Sequence, residues 1–168
     1  MFIRLIFSVC FISTLLSVAL PGWAQRSPKR ELRAAWIATV VNIDWPSRKG
    51  LSSHQQQEEY VKLLDLLTSV GMNAVIVQVR PAADAFYPSS YEPWSEYLSG
   101  EQGRSPEPYY NPLAFMIQEA KQRGLEFHAW FNPYRVSMKD TFNFADTHPI
   151  HKHPEWFLRY GGKWYYDP

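Results

Sequence analysis

The sequence predicts an α/β protein: the first three strands and two helices of a (β/α) TIM barrel, truncated before closure. Three observations predict it. Apolar, β-branched runs alternate with amphipathic stretches in the order strand, helix, strand, helix, strand, which connects parallel strands. The helix-to-strand connections are short, at Gly71-Met72 and at Gly124, whereas every connection leaving a strand is long. Loops loaded at the C-terminal strand ends are how a barrel builds its active face. Finally, a doubly wound dinucleotide fold carries a Gly-rich turn after its first strand, and here that place holds Asn42-Ile43-Asp44-Trp45-Pro46.

The elements follow in order. Residues 25–33 are a polar lead-in, and residues 34–168 are the N-terminal part of the barrel domain. Ala34 to Val41 is apolar and rich in β-branched residues, as a strand is. After the loop from Asn42, Ser53 and Gln56 have capping-box spacing, and Tyr60, Leu63, Leu64, Leu67 and Val70 make a helical stripe that Gly71 stops. Asn73 to Arg80 is the second strand, apolar on both faces at Ala74-Val75-Ile76-Val77, as a covered parallel strand is. A long loop rich in Pro, Tyr, Ser and Glu runs from Pro81 to Tyr110. Asn111 then caps a helix with Pro112 in its first turn, and Leu113, Met116, Ile117 and Ala120 form its buried stripe. Leu125 to Asn132 is the third strand. Another long loop, Pro133 to Glu155, leads to an aromatic stretch from Trp156 to Tyr166 that reads as a hairpin around Gly161-Gly162. A barrel takes about 250 residues, so three strands of eight imply a fragment of a longer domain.

Residues 1–24 read as a cleaved signal peptide rather than as part of the fold. Arg4 supplies the positive end, Leu5 to Leu20 is almost wholly apolar, and Gly22 and Ala24 place small residues before Gln25. The expected location is the periplasm or the exterior, with no stable membrane anchor after cleavage. The single cysteine, Cys10, lies inside this leader, so the exported chain has no disulfide, thiolate metal site or cysteine nucleophile. Without Arg4, the remaining basic residues balance the 16 acidic ones. That balance argues against nucleic acid, which needs a basic excess on one face.

Aromatic residues make up 16% of the chain. Trp and Tyr pair a flat apolar face with a polar tip, which suits the C–H faces and hydroxyl rims of sugars. A glycan or polysaccharide is therefore the expected partner, although any one aromatic is more often core than platform.

Strand alternation sorts the candidate residues. Gln78 and Arg80 share a face opposite Val75, Val77 and Val79, while His128, Trp130 and Asn132 oppose Phe127, Ala129 and Phe131. The apolar sets are expected against the helices and the polar sets inside the barrel, with Arg80 and Asn132 nearest its mouth. Asp44, Asp84, Tyr134 and Arg135 follow strand ends and belong to the same rim. Arg80 suits a carboxylate or sugar hydroxyls; a structural alternative pairs it with Asp84. His128 and Asn132 offer donors and acceptors, and Trp94, Tyr91 and Tyr87 offer stacking faces.

Glycoside hydrolysis typically needs two carboxyls about 5 Å or about 6.5–9.5 Å apart. Glu92 and Glu96 lie in a Pro/Ser-rich loop and make no convincing pair, so no residue here is assigned as catalytic. His148, His151 and His153 lack acidic or thiol partners at ligand spacing beyond Asp146, so neither a metal nor any other cofactor is expected. No nucleophile elbow or phosphate loop is present.

Several stretches together resemble a known family. Arg33-Ala34-Ala35-Trp36-Ile37, Asp44-Trp45-Pro46, Gln78-Val79-Arg80-Pro81-Ala82-Ala83-Asp84-Ala85, Tyr91-Glu92-Pro93-Trp94-Ser95 and His128-Ala129-Trp130-Phe131-Asn132-Pro133-Tyr134-Arg135 match the glycosyl-hydrolase-like 10 family in order and spacing. The resemblance runs from about Glu31 to the last residue. It implies a TIM-barrel hydrolase of bacterial envelope glycans, with peptidoglycan strands a plausible substrate. It also implies a longer domain, whose catalytic acid is expected downstream of Pro168. On that reading the parent enzyme cleaves glycosidic bonds and this chain alone does not. Two other classes fit the sequence less well: a non-catalytic glycan-binding module, and a metal-dependent deacetylase-type barrel.

Overall fold

The structure, a computed structural model, describes residues 31–168. The expected signal peptide, residues 1–24 with Cys10, and most of the lead-in 25–33 lie outside the described residues. Three strands, β1 (Ala34–Ile37), β2 (Ala74–Arg80) and β3 (Glu126–Phe131), form one sheet in the order β1-β2-β3. Both pairings are parallel, with Ala34 opposite Ala74 and Ala74 opposite Glu126. The long helices α1 (Ser53–Ser69) and α3 (Pro112–Gln122) connect them, and a four-residue helix α2 (Glu96–Ser99) sits in the loop between β2 and α3. An antiparallel hairpin follows, β4 (Phe157–Tyr160) with β5 (Lys163–Tyr166). The chain is thus a mixed α/β protein built around a short parallel sheet.

β1 is shorter than the apolar run that predicts it. At Thr39 and Val40 the backbone N–H groups turn away to the Gln78 side-chain oxygen, at 3.1 and 3.2 Å. Val41 and Asn42 then take positive φ, 57° and 53°, and the strand cannot continue. Apolar content alone carries no trace of that turn.

The capping box of α1 falls one residue earlier than Ser53/Gln56. Ser52 accepts the Gln55 N–H, and the Gln55 side chain accepts the Ser52 N–H at 3.1 Å. Gln56 is instead fully buried. Its amide donates to the carbonyls of Leu51 (2.8 Å) and Leu98 (3.2 Å) and accepts the Tyr110 hydroxyl (2.8 Å). Past the last turn Gly71 takes φ 83°, a left-handed position that a side chain would strain. α3 begins as expected, with Asn111 accepting the Ala114 N–H at 3.1 Å and Pro112 in the first turn.

One apolar core joins these elements. Tyr60 and Leu64 of α1 and Met116 and Ala120 of α3 pack on Ile37, Val75, Val77 and Val79. Each fully buried Leu or Met contributes about 1.5–3 kcal/mol by leaving water. Trp45 is anchored here too: its indole N–H donates to the Gln56 carbonyl at 2.8 Å, and its ring meets Tyr60 edge-on at 5.2 Å. Four residues expected in the buried stripes are exposed. Val70 lies at the C-cap of α1 and Ile117 turns from the sheet. Ala129 and Phe131 lie on the edge strand, with no α-helix after β3 among the described residues to cover them. The opposite face carries Trp36, His128 and Trp130, with the two indoles edge-on at 5.1 Å.

Candidate functional site

Arg80, the last residue of β2, organises the C-terminal end of the sheet. A register shift between Gln78 and Arg80 brings it opposite Phe131. Its guanidinium grips the Glu92 carboxylate with two nitrogens, one at 2.6 Å from Nε, and donates with the third to the Asn132 carbonyl. The Tyr166 ring lies 5.6 Å from the guanidinium carbon, and the Tyr166 hydroxyl donates to the same carboxylate at 3.3 Å. Burial works against the Arg80 charge, but the hydrogen bonds and charge of Glu92 outweigh it and raise its pKa above the ordinary guanidinium value. Burial and Glu92 together push Tyr166 up to about 12. This is a fork-to-fork pair, the strongest geometry available to a carboxylate and an arginine.

The expected rim residues part company around this cluster. Asn132 is adjacent, but its side-chain oxygen is occupied by the N–H groups of Tyr134 (3.1 Å) and Arg135 (2.9 Å), so it shapes the turn after β3. Tyr134 and Arg135 line an open cleft of about 420 Å³ with Met138, Lys163 and Tyr165. Asp44 is exposed at the end of β1, where one carboxylate oxygen accepts the Ala38 N–H at 2.7 Å. His128 lies mid-strand opposite Ile76, half-exposed, 3.4 Å from Glu126. It belongs to the open sheet face rather than to the strand ends.

Asp84 does not pair with Arg80 and does not face solvent. It is 1% exposed, and its Oδ1 has no hydrogen-bond partner among the described residues. Burial pushes its pKa up to about 7, against the opposing contacts with Ser95 and the Ala82 backbone, with Glu96 and Glu92 adding to the rise. Of the three proposed stacking faces, only Tyr91 stands free, at 84% exposure. Trp94 and Tyr87 pack against the core, Trp94 edge-on to Tyr109 and Tyr87 near Phe131.

Glu92 and Tyr166 are the site residues that strand alternation misses. Glu92 sits in an irregular loop and Tyr166 in a hairpin far along the chain. In the sequence Glu92 is marked by its place in Tyr91-Glu92-Pro93-Trp94-Ser95 and as a carboxylate near Glu96, and neither signal points to Arg80.

The histidines of the 148–153 stretch have separate structural tasks. His148 is buried and accepts the Ile150 N–H at 3.1 Å, and burial lowers its pKa to about 4. His153 stacks on Trp156 at 3.9 Å and lies 3.2 Å from Glu155. Among the described residues no group of three or more His, Cys, Asp or Glu is placed to hold a metal ion. No helix of the described residues is long and apolar enough to cross a membrane.

Comparison with known proteins agrees with the sequence motifs. Glycosyl hydrolase YngK of Bacillus subtilis is 56% identical over 164 residues, covering 96% of this chain and 32% of the relative. Glycosyl hydrolase DigH of Escherichia coli K12 is 34% identical over 165 residues, covering 88% of this chain and 37% of the relative. The chain thus spans about a third of the length of these curated relatives. A crystal structure of a GH29 alpha-L-fucosidase from Bacteroides thetaiotaomicron aligns with 72% of this chain and 32% of that chain, at 12% identity. The TM-score of that alignment is 0.40. The model of the family Glycosyl hydrolase-like 10 matches residues 31–168, and with it every motif from the Trp36 strand to the Tyr166 hairpin: the chain belongs to that family.

Proposed function

We propose that this chain is the N-terminal part of a (β/α)-barrel glycoside hydrolase that works outside the cytoplasm on bacterial envelope glycan, peptidoglycan strands being one such polymer. The observation that carries the reading is the cluster of Arg80, Glu92, Asn132 and Tyr166 at the C-terminal ends of adjacent parallel strands. That is the end at which barrel enzymes bind substrate. Sequential parallel strands with α1 and α3 in one core, and a polar-aromatic opposite face, support the barrel. The small residues Gly22 and Ala24 after an apolar leader support export.

The chain's own task is to hold the glycan. Hydrolysis needs two carboxyls facing the scissile bond. Near the strand ends, Glu92 is engaged by Arg80, Asp84 is sealed from solvent and Asp44 is tied to the Ala38 N–H. None of the three is assigned the chemistry.

The test is to incubate the 168-residue chain with insoluble envelope glycan, measuring retention and new reducing ends. Retention without new ends is expected. Sustained release of reducing ends would overturn the division of labour, and failure to be retained would overturn the glycan reading. The full-length Bacillus relative is expected to cleave in the same assay. Retention without cleavage there would favour a non-catalytic glycan-binding module.

A further inference from the structure

Two open clefts adjoin beside the hairpin. They share Tyr134 and Tyr165 and differ in chemistry. On one side, about 420 Å³ in volume, stand Arg135 and Lys163, with no carboxylate in the lining. On the other side, about 430 Å³, the lining is Tyr160, Tyr166, Leu158 and Pro168 with no charged side chain. Tyr160 and Tyr134 are 77% and 51% exposed, so their faces are open.

The cations of the described residues divide into paired and unpaired ones, and Arg48, Lys62, Lys121, Lys139 and Lys152 form no ion pair there, like those of the first cleft. Arg80, Arg123, Arg159 and Lys49 all sit on carboxylates. Neither Arg135 nor Lys163 forms an ion pair among the described residues, and the Arg135 guanidinium hydrogen-bonds to the Met138 sulfur, at 3.7 Å. The backbone that carries them is nonetheless fixed. Arg135 bridges Tyr165, its N–H is held by Asn132 at 2.9 Å, and the N–H groups of Val136 and Tyr166 bond to the carbonyls of Trp164 (3.0 Å) and Tyr134 (2.7 Å). Two unpaired cations on a zipped strand pair make an anion site that needs little ordering before it binds.

Resting on the glycan reading, we infer that this double cleft selects an acidic polysaccharide. A sugar carboxylate lies between Arg135 and Lys163, and a neighbouring sugar ring stacks among Tyr134, Tyr160 and Tyr165. The aromatic side excludes a bare polyanion as the preferred ligand, and the cationic side distinguishes an acidic sugar chain from a neutral one.

The experiment measures binding of the 168-residue chain to polygalacturonate, to the same polymer with its carboxyls reduced to alcohols, and to polyglutamate. Polygalacturonate is expected to bind about tenfold more tightly than the reduced polymer, with the margin shrinking as salt is raised. The double variant Arg135→Gln, Lys163→Gln should lose that margin while still binding the reduced polymer, which also shows that it is folded. Tyr160→Ala should weaken both sugar polymers. Equal binding of the acidic and reduced polymers, or polyglutamate binding as tight as polygalacturonate, would overturn the acidic-sugar inference and leave the glycan reading standing. No binding of either sugar polymer would overturn the acidic-sugar inference, and the glycan reading falls with it only where the chain also fails to be retained on envelope glycan.

Discussion

Asp84 shows what a strand-end position leaves undecided. The sequence places it just beyond β2, and that much holds. The residue before it, Ala83, takes a left-handed φ of 50°, and no propensity encodes a left-handed alanine. The chain turns there and Asp84 goes inward. Its folded pKa, pushed up to about 7 by burial, lies above its unfolded value, so between roughly pH 4 and 7 the folded state binds more protons than the unfolded one. Stability from this group therefore falls as pH rises through that window. His148 works oppositely: its pKa is lowered to about 4, so the unfolded state takes the extra proton and stability rises with pH between roughly 4 and 6.5. The two slopes offset each other in the native protein. Asp84→Asn should remove one of them, leaving urea-denaturation stability that climbs more steeply from pH 4.5 to 7 than in the native chain. Parallel pH profiles for the two proteins would show that Asp84 does not titrate there.

For the helices, spacing rules worked where only one register satisfied them. Asn111-Pro112 has no competitor, and α3 starts as its sequence says. In Ser52-Ser53-His54-Gln55-Gln56 both serines have a glutamine three residues on, so two capping boxes fit and tertiary contacts choose between them. Gln56 has buried partners on three sides, while Ser53 donates to the Pro108 carbonyl. Ser52 is left to cap. Ser52→Ala should cost about 1 kcal/mol, read as a lowered urea midpoint with unchanged slope. A change well under half that would mean the α1 terminus is satisfied by water instead. Strand ends were harder to foresee, because β1 stops where Gln78, thirty-nine positions on, captures the Thr39 N–H. Periodicity reports burial, and it is silent about such a capture.

Over the whole molecule, the order of elements, their parallel pairing and the hairpin at Gly161-Gly162 were all legible. Those two glycines take φ 56° and 72°, as a two-residue hairpin turn requires. The partners of Arg80 were not legible, since they come from 12, 52 and 86 positions away, through loops with no repeat to read. What the sequence did carry was the family pattern, in which Glu92 and Arg80 are both embedded.

The Tyr166 contact with Glu92, which spans 74 positions, also bears on the order of assembly. Closing so long a segment has an entropic cost that the turns of α1 and α3 do not face. Helical dichroism should therefore recover early in refolding from urea, and glycan retention in interrupted-refolding samples should recover late. Tyr166→Phe should then hasten unfolding while hardly altering the refolding rate; a slowed refolding limb would place this clasp in the nucleus. The rim around Arg80 is on this account the last part of the chain to become native, and the first to be lost when it loosens.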